Sequence, residues 1–169
     1  MVGFWSESTV FVAKKEAKIN KRKGSEIIEY LEDLVYEEKQ LQEDGVYLTL
    51  KRVLTFLKRG DIDFGGGEYR ESEIRGISPE RISPEDKYGW WSLREGEYLI
   101  EFNEKIKESI PQEDVIILQP ALRLIRNGAY HPTIIIGEPG SITTILYVGK
   151  RGLSIKENAR ISKLIIIKS

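Results

Sequence analysis

The chain has 169 residues, with 26 Lys or Arg against 27 Asp or Glu, a formal net charge of −1 and no cysteine. That length predicts one domain, 1–169, and a chain of this size buries roughly 70% of its unfolded surface. The near-zero charge gives no global field toward nucleic acid or membrane. The lack of cysteine excludes a disulfide frame, a thiol nucleophile and a Cys-based zinc site.

In chain order, Phe4, Trp5 and Thr9–Val12 predict a strand or hairpin within Met1–Val12. Lys14–Lys23 is basic and reads as a solvated linker, which closes an N-terminal extension over 1–23. Ser25 is placed to cap a helix over 25–39, in which Ile27, Ile28, Leu31, Leu34 and Val35 fall at 3.6-residue spacing. Val46–Leu50 and Val53–Leu57 alternate as strands, and Asp61–Phe64 reads as a short one. Gly65–Gly67 is a hairpin turn. A phosphate-binding glycine loop needs Lys and Ser or Thr after the glycines, and Glu68-Tyr69-Arg70 follow instead. Ile77–Glu80 recurs as Ile82–Glu85, a proline-containing surface loop.

The Trp90-Trp91 pair suits core or interface packing, with base stacking as the other use. Glu97–Asn103 alternates with Tyr98, Ile100 and Phe102 on one side, and Val115–Leu118 has a buried-strand pattern. Ile142–Val148 is a strand, Gly149–Gly152 a turn and Ala159–Lys168 a last strand, whose Leu164–Ile167 run needs burial on both faces. His131, the only histidine, reads as a loop or strand residue rather than a catalyst. No apolar run approaches the ~20 residues of a membrane span, and the wealth of Glu, Lys and Arg suits a thermophile's cytoplasm.

The segment Pro120–Ser141 combines a short helical turn, an Asn127-Gly128 stop, the β-branched run Thr133–Ile136 and the turn Gly137–Gly140. Delivering an arginine beside a strand and a glycine turn suits a phosphate or nucleotide pocket. A plain connection between two strands is the other reading. Many short strands at turn spacing predict a mainly β sandwich or barrel.

Several stretches occur in an order that resembles the archaeal branch of the dUTP nucleotidohydrolase (dUTPase) and dCTP deaminase superfamily. They are Glu38–Gln42, Gly45–Leu50, Ile62–Phe64, Gly89–Leu93, Gly96–Ile100, Phe102–Glu104 and Ala159–Ile161. The resemblance implies a distorted jelly-roll β-barrel, a homotrimer, active sites between subunits, and a deoxynucleoside triphosphate bound with Mg²⁺.

The catalytic positions depart from the family. Its first motif has Asp where this chain has Tyr47, a poor ligand for a hard cation. Its Pro-Arg-Ser-Ser run is Pro120-Ala121-Leu122-Arg123 here, with the later arginine present as Arg126. No carboxylate lies between Gly128 and Gly137, and Ile136 stands in the neighbourhood of the catalytic Asp. Glu138 replaces the aromatic beneath the deoxyribose, Ile145 the deaminase glutamate and Lys163 the fourth-motif Gln.

The resemblance therefore implies substrate-binding positions at Arg123, Arg126, Gly128, Gly137 and Lys163, with Glu138 or Asp44 as the acids able to replace the missing one. Three outcomes follow: weak or lost dUTP hydrolysis, a silent trimer binding a nucleotide or a partner, or a subunit completing a mixed trimer with an active relative. dCTP deamination is disfavoured, since Leu122 and Ile145 hold its polar positions.

Overall fold

The computed structural model describes residues 19–169. The strand expected within Met1–Val12 lies outside them, as does the start of the basic segment Lys14–Lys23.

The chain is mainly β. In order, it forms a helical turn α1 (Gly24–Ile27), a 3₁₀ turn (Ile28–Tyr30), β1 (Leu31–Glu32), α2 (Glu37–Gln40), β2 (Val46–Phe56) and β3 (Ile74–Gly76). There follow β4 (Trp90–Leu93), β5 (Gly96–Ile106), β6 (Val115–Pro120), α3 (Leu122–Ile125), β7 (Ala129–Tyr130), β8 (Ile134–Ile136), β9 (Gly140–Val148), β10 (Leu153–Lys156) and β11 (Arg160–Ile167). One curled antiparallel sheet runs β7-β9-β5-β2-β11-β6-β8, with β1 added to β5 and β3 to β2, and β10 pairs with β4 apart from it. Register shifts at Leu50/Arg52 on β2 and Glu101/Lys105 on β5 bend the two longest strands, so the sheet closes into a half-barrel.

Alternation builds the core. Tyr98, Ile100, Phe102 and Ile106 of β5 are buried, as are Ile142, Leu146 and Val148 of β9. In β11, Leu164, Ile165 and Ile166 are all buried, which the unbroken apolar run requires of a strand held between β2 and β6. Trp91 is also buried, and its indole N–H donates to the Ile77 carbonyl at 2.7 Å.

Two expectations need correction. The helix over 25–39 does not form, and Ser25 is no cap; the segment breaks after Tyr30 because Leu31 and Glu32 pair with Ile106 and Lys105. Asp33 then takes a positive φ of 61°. Burial of Leu31 against β5 outweighs a helix that would gain little from an isolated run of four turns. The end of the basic segment is not a solvated linker either. Lys21 bridges Ile167, the Arg22 N–H donates to the Ile166 carbonyl, and the buried Arg22 guanidinium pairs with Asp114 and Glu26.

A smaller revision concerns Asp61–Phe64, where only Asp61 pairs, with Arg70. The Asp63 carboxylate accepts from the N–H groups of Gly66 and Glu68, which fixes the glycine turn.

Candidate functional site

Three neighbouring strands set the floor of the site. Lys163 on β11 lies opposite Tyr47 on β2 and opposite Gln119 on β6, so the three residues form a row across the sheet. Pro120 ends β6, and Ala121 caps α3, which begins at Leu122, with extended backbone, donating its N–H to the Ile161 carbonyl. Leu124 is buried and anchors the turn, which leaves Leu122, Arg123 and Arg126 exposed. Asn127 donates to the Arg123 carbonyl at 2.7 Å, and Gly128, at φ 76°, stops the helix where a side chain would be strained.

The result is an open depression of about 580 Å³, lined by Tyr47, Gln119, Leu122, Arg123, Arg126 and Lys163 among others. The sequence-predicted residues Tyr47, Leu122, Arg123, Arg126 and Lys163 thus come together. Asp44 stands at the edge, its carboxylate 2.6 Å from the Lys163 amine and 3.7 Å from that of Lys21. The hydrogen bond from Lys163 holds the Asp44 carboxyl below the usual range. Gly45 lets Lys163 lie close, since a Cβ there would meet the Leu164 carbonyl and the lysine stem, both at 2.7 Å.

The other predicted residues lie elsewhere in the chain. Gly128 terminates α3 without lining the depression. Ile136, Gly137 and Glu138 line a separate hollow with Ile110 and Asp114, and Glu138 also borders a groove with Lys105 and Lys107. Ile145 sits on β9 opposite Leu99. Within one chain, then, Glu138 and Arg126 do not share a pocket.

Sequence reasoning missed the support beneath Tyr47. Glu104 is fully buried; its carboxylate accepts from Gln40 at 2.6 Å, from the Thr49 hydroxyl at 2.5 Å and from the Thr49 N–H at 2.9 Å. The same Gln40 amide donates to the Tyr47 carbonyl at 2.8 Å, so the buried acid fixes the backbone of a site residue. Burial pushes the Glu104 carboxyl up, against the pull of those donors. A signal was present: residues 98, 100, 102 and 104 share one side of β5, so Glu104 continues a core-facing row. Arg160 was missed too. Its guanidinium lies 5.6 Å over the Tyr47 ring and donates to the Lys39 carbonyl at 2.7 Å.

His131 has a partner after all. Its Nε2 lies 2.7 Å from the Ser162 hydroxyl and its Nδ1 lies 2.8 Å from the Pro132 carbonyl. A carbonyl only accepts, so Nδ1 carries the proton and Nε2 accepts from Ser162. The pair looks like a base and nucleophile, but His131 is 2% and Ser162 0% exposed, so no substrate reaches it.

The donor set does not suit Mg²⁺. Arg123, Arg126 and Lys163 dominate the depression, and among the described residues no carboxylate lines it. Among the described residues no group of three or more His, Cys, Asp or Glu could hold a metal ion.

No protein-family model matches the chain. Over 138 residues, 80% of this chain, it is 34% identical to a probable deoxyuridine 5′-triphosphate nucleotidohydrolase of Methanosarcina mazei, covering 76% of that protein. The protein of the same description from Methanococcoides burtonii is 33% identical over the same shares. In fold, the chain is similar to the crystal structure of the 2′-deoxycytidine 5′-triphosphate deaminase of Agrobacterium tumefaciens. The TM-score is 0.63 at 11% identity, over 89% of this chain and 47% of that one. At 33–34% identity over 80% of its length, the chain belongs to the deoxyuridine 5′-triphosphate nucleotidohydrolase family.

Proposed function

We propose that the protein, a single domain over 1–169, holds the phosphates of a deoxynucleoside triphosphate over the Leu122–Asn127 turn and hydrolyses dUTP slowly or not at all. The observation that carries this reading is the lining of the depression: three cationic side chains and no carboxylate. Guanidinium forks are suited to bridging phosphate oxygens, and Lys163 adds a point charge.

Hydrolysis asks for more. In-line attack on phosphorus needs a positioned water and a base within reach of it. Asp44 is a poor base, because two lysines stabilise its ionised form. Tyr47 stands where the family's metal-side acid stands, and Leu122 and Arg123 replace the serine donors. Loss of a general base alone costs ~10²–10⁴ in rate. Mg²⁺, which the family implies, does not fit the side chains of this depression.

Glu138 could act only from a neighbouring copy, since in its own chain it lines other hollows. A homotrimer with sites between subunits, as the family implies, supplies that arrangement.

The test follows pyrophosphate release from dUTP, dCTP and dTTP with Mg²⁺ present, and ammonia release from dCTP. The expected outcome is turnover far below the ~1–10³ per second usual for enzymes, with no deamination. Turnover near one per second overturns the reading, and its loss in Glu138→Gln would then identify the base.

A further inference from the structure

Asn127 and Gly128 end α3, and the pair also carries a chemistry that the helix stop does not use. Where glycine follows asparagine, no Cβ blocks the next backbone nitrogen from reaching the side-chain amide. The chain has four asparagines, Asn20, Asn103, Asn127 and Asn158, and of these Asn127 alone precedes a glycine. Asn127 and Gly128 are both exposed. Asn127 lines the depression together with Arg123, Arg126 and Lys163.

Hydrogen bonds within the turn keep the reacting groups apart. The Gly128 N–H donates to the Ile125 carbonyl at 3.0 Å, so the attacking nitrogen is engaged. The Asn127 amide donates to the Arg123 carbonyl at 2.7 Å, which holds the carboxamide back along α3. Both acceptors belong to α3, a helix of four residues whose buried side chain is Leu124. A helix that short has little stability of its own. It opens locally at far lower cost than the sheet beside it.

We propose that Asn127 is a site of spontaneous deamidation, held shut by the folded α3 turn and released each time that turn opens. In the open turn the Gly128 nitrogen passes its proton to water and bonds to Asn127 Cγ. The Nδ2 group takes up a proton and leaves as ammonia, and a cyclic succinimide remains. Water then opens the ring. Cleavage at Cγ gives aspartate at position 127, and cleavage at the backbone carbonyl gives isoaspartate, with the main chain rerouted through the side chain. The net exchange is a water for an ammonia. Either product sets a carboxylate beside Arg123, Arg126 and Lys163, in a depression whose described lining has none. A carboxylate cannot donate to the Arg123 carbonyl, so the turn does not close again as before. The stability of α3 thus sets the rate of an irreversible charge change. The effect on anion binding rests on the phosphate reading above, whereas the modification does not.

The test ages the full chain at neutral pH, folded in buffer and unfolded in guanidinium chloride. Mass spectrometry and isoaspartate content then follow the peptide that spans residues 126–128. The expected result is deamidation at Asn127, slower in the folded than in the unfolded chain by about ten-fold or more. Leu124→Ala should speed it. So should Leu122→Gly, which weakens the helix at an exposed position and spares the core. Asn127→Gln should abolish it. Equal rates in folded and unfolded chain, or no acceleration in either α3 variant, overturn the proposal. Calorimetry with tripolyphosphate reads the consequence: affinity should fall as the modified fraction grows, and Asn127→Asp should bind weakly from the start. If fresh protein binds no tripolyphosphate, the phosphate reading falls and the modification stands on the mass data. If modified and fresh protein bind it equally, the charge change has no effect on the depression and that part of the proposal is overturned.

Discussion

His131 and Glu104 are buried titratable groups whose pKa values move in opposite senses. Burial lowers His131 from its ordinary 6.5, against the carbonyl of Pro132. Between the folded pKa and 6.5 the unfolded chain therefore binds more protons, so His131's contribution is complete above pH 6.5 and is lost as pH falls below it. Glu104 is raised above its ordinary 4.5, so the folded protein takes up that proton first and its contribution declines as pH rises from 4.5 toward the folded pKa. We expect urea midpoints to fall between pH 6.5 and 5 with a slope of at most about 1.4 kcal/mol per unit from His131. His131→Asn should lose that component, and an unchanged slope in the variant would assign it to another group. The sequence held only half of this. Strand parity gave the inward direction of residue 104, but nothing local to His131 revealed Ser162, which is 31 residues away and brought alongside only by the β6–β11 pairing.

At the scale of elements, the longer strands of the second half were legible, while β7, β10 and the segment 24–40 were not. β5, β6, β9 and β11 announce themselves through alternation or unbroken apolar runs bounded by turn residues, and each was found within a few positions of its expected bounds. In 24–40, the 3.6-residue spacing of Ile27, Leu31 and Leu34 is also compatible with a chain that turns and then lays Leu31 on a strand edge. The choice depended on β5, some 70 residues onward, where Ile106 and Lys105 accept the pairing. Burial of Leu31 at 4% exposure is thus the reason the helix is absent. Leu31→Ala should destabilise the protein by about 2–5 kcal/mol with little change in helical circular dichroism. A large loss of helical signal would mean that the segment is a helix in solution. The site was legible in part for a similar reason: Arg123 and Arg126 share one short turn, whereas their meeting with Tyr47 and Lys163 needs the order β2-β11-β6.

For the whole molecule, Trp91 and Leu164–Ile166 are buried inside one chain and offer no surface for assembly. The exposed apolar side chains include Leu122, Ile125, Tyr130 and Ile135, at 65%, 49%, 54% and 71%. Among the described residues β8 pairs on one side only, with β6, so the edge that bears Ile135 could take a strand of another chain. The proposed homotrimer would cover such surface, and light scattering at micromolar concentration should report three chains. Ile135→Glu should shift that mass downward, and a monomeric wild type would end the proposal.

β11 stands between β2 and β6, yet its residues, 160–167, follow those of every other described strand of the sheet in sequence. Until they leave the ribosome, β2, β5 and β9 have nothing to join them to β6 and β8, and Lys21 and Arg22 lack the backbone partners they find at Ile167 and Ile166. Without β11 the strands fall into two separate groups with open edges, an arrangement that favours aggregation. Loss of β11 would remove the keystone of the sheet, so a chain truncated before Arg160 should give no cooperative thermal unfolding transition.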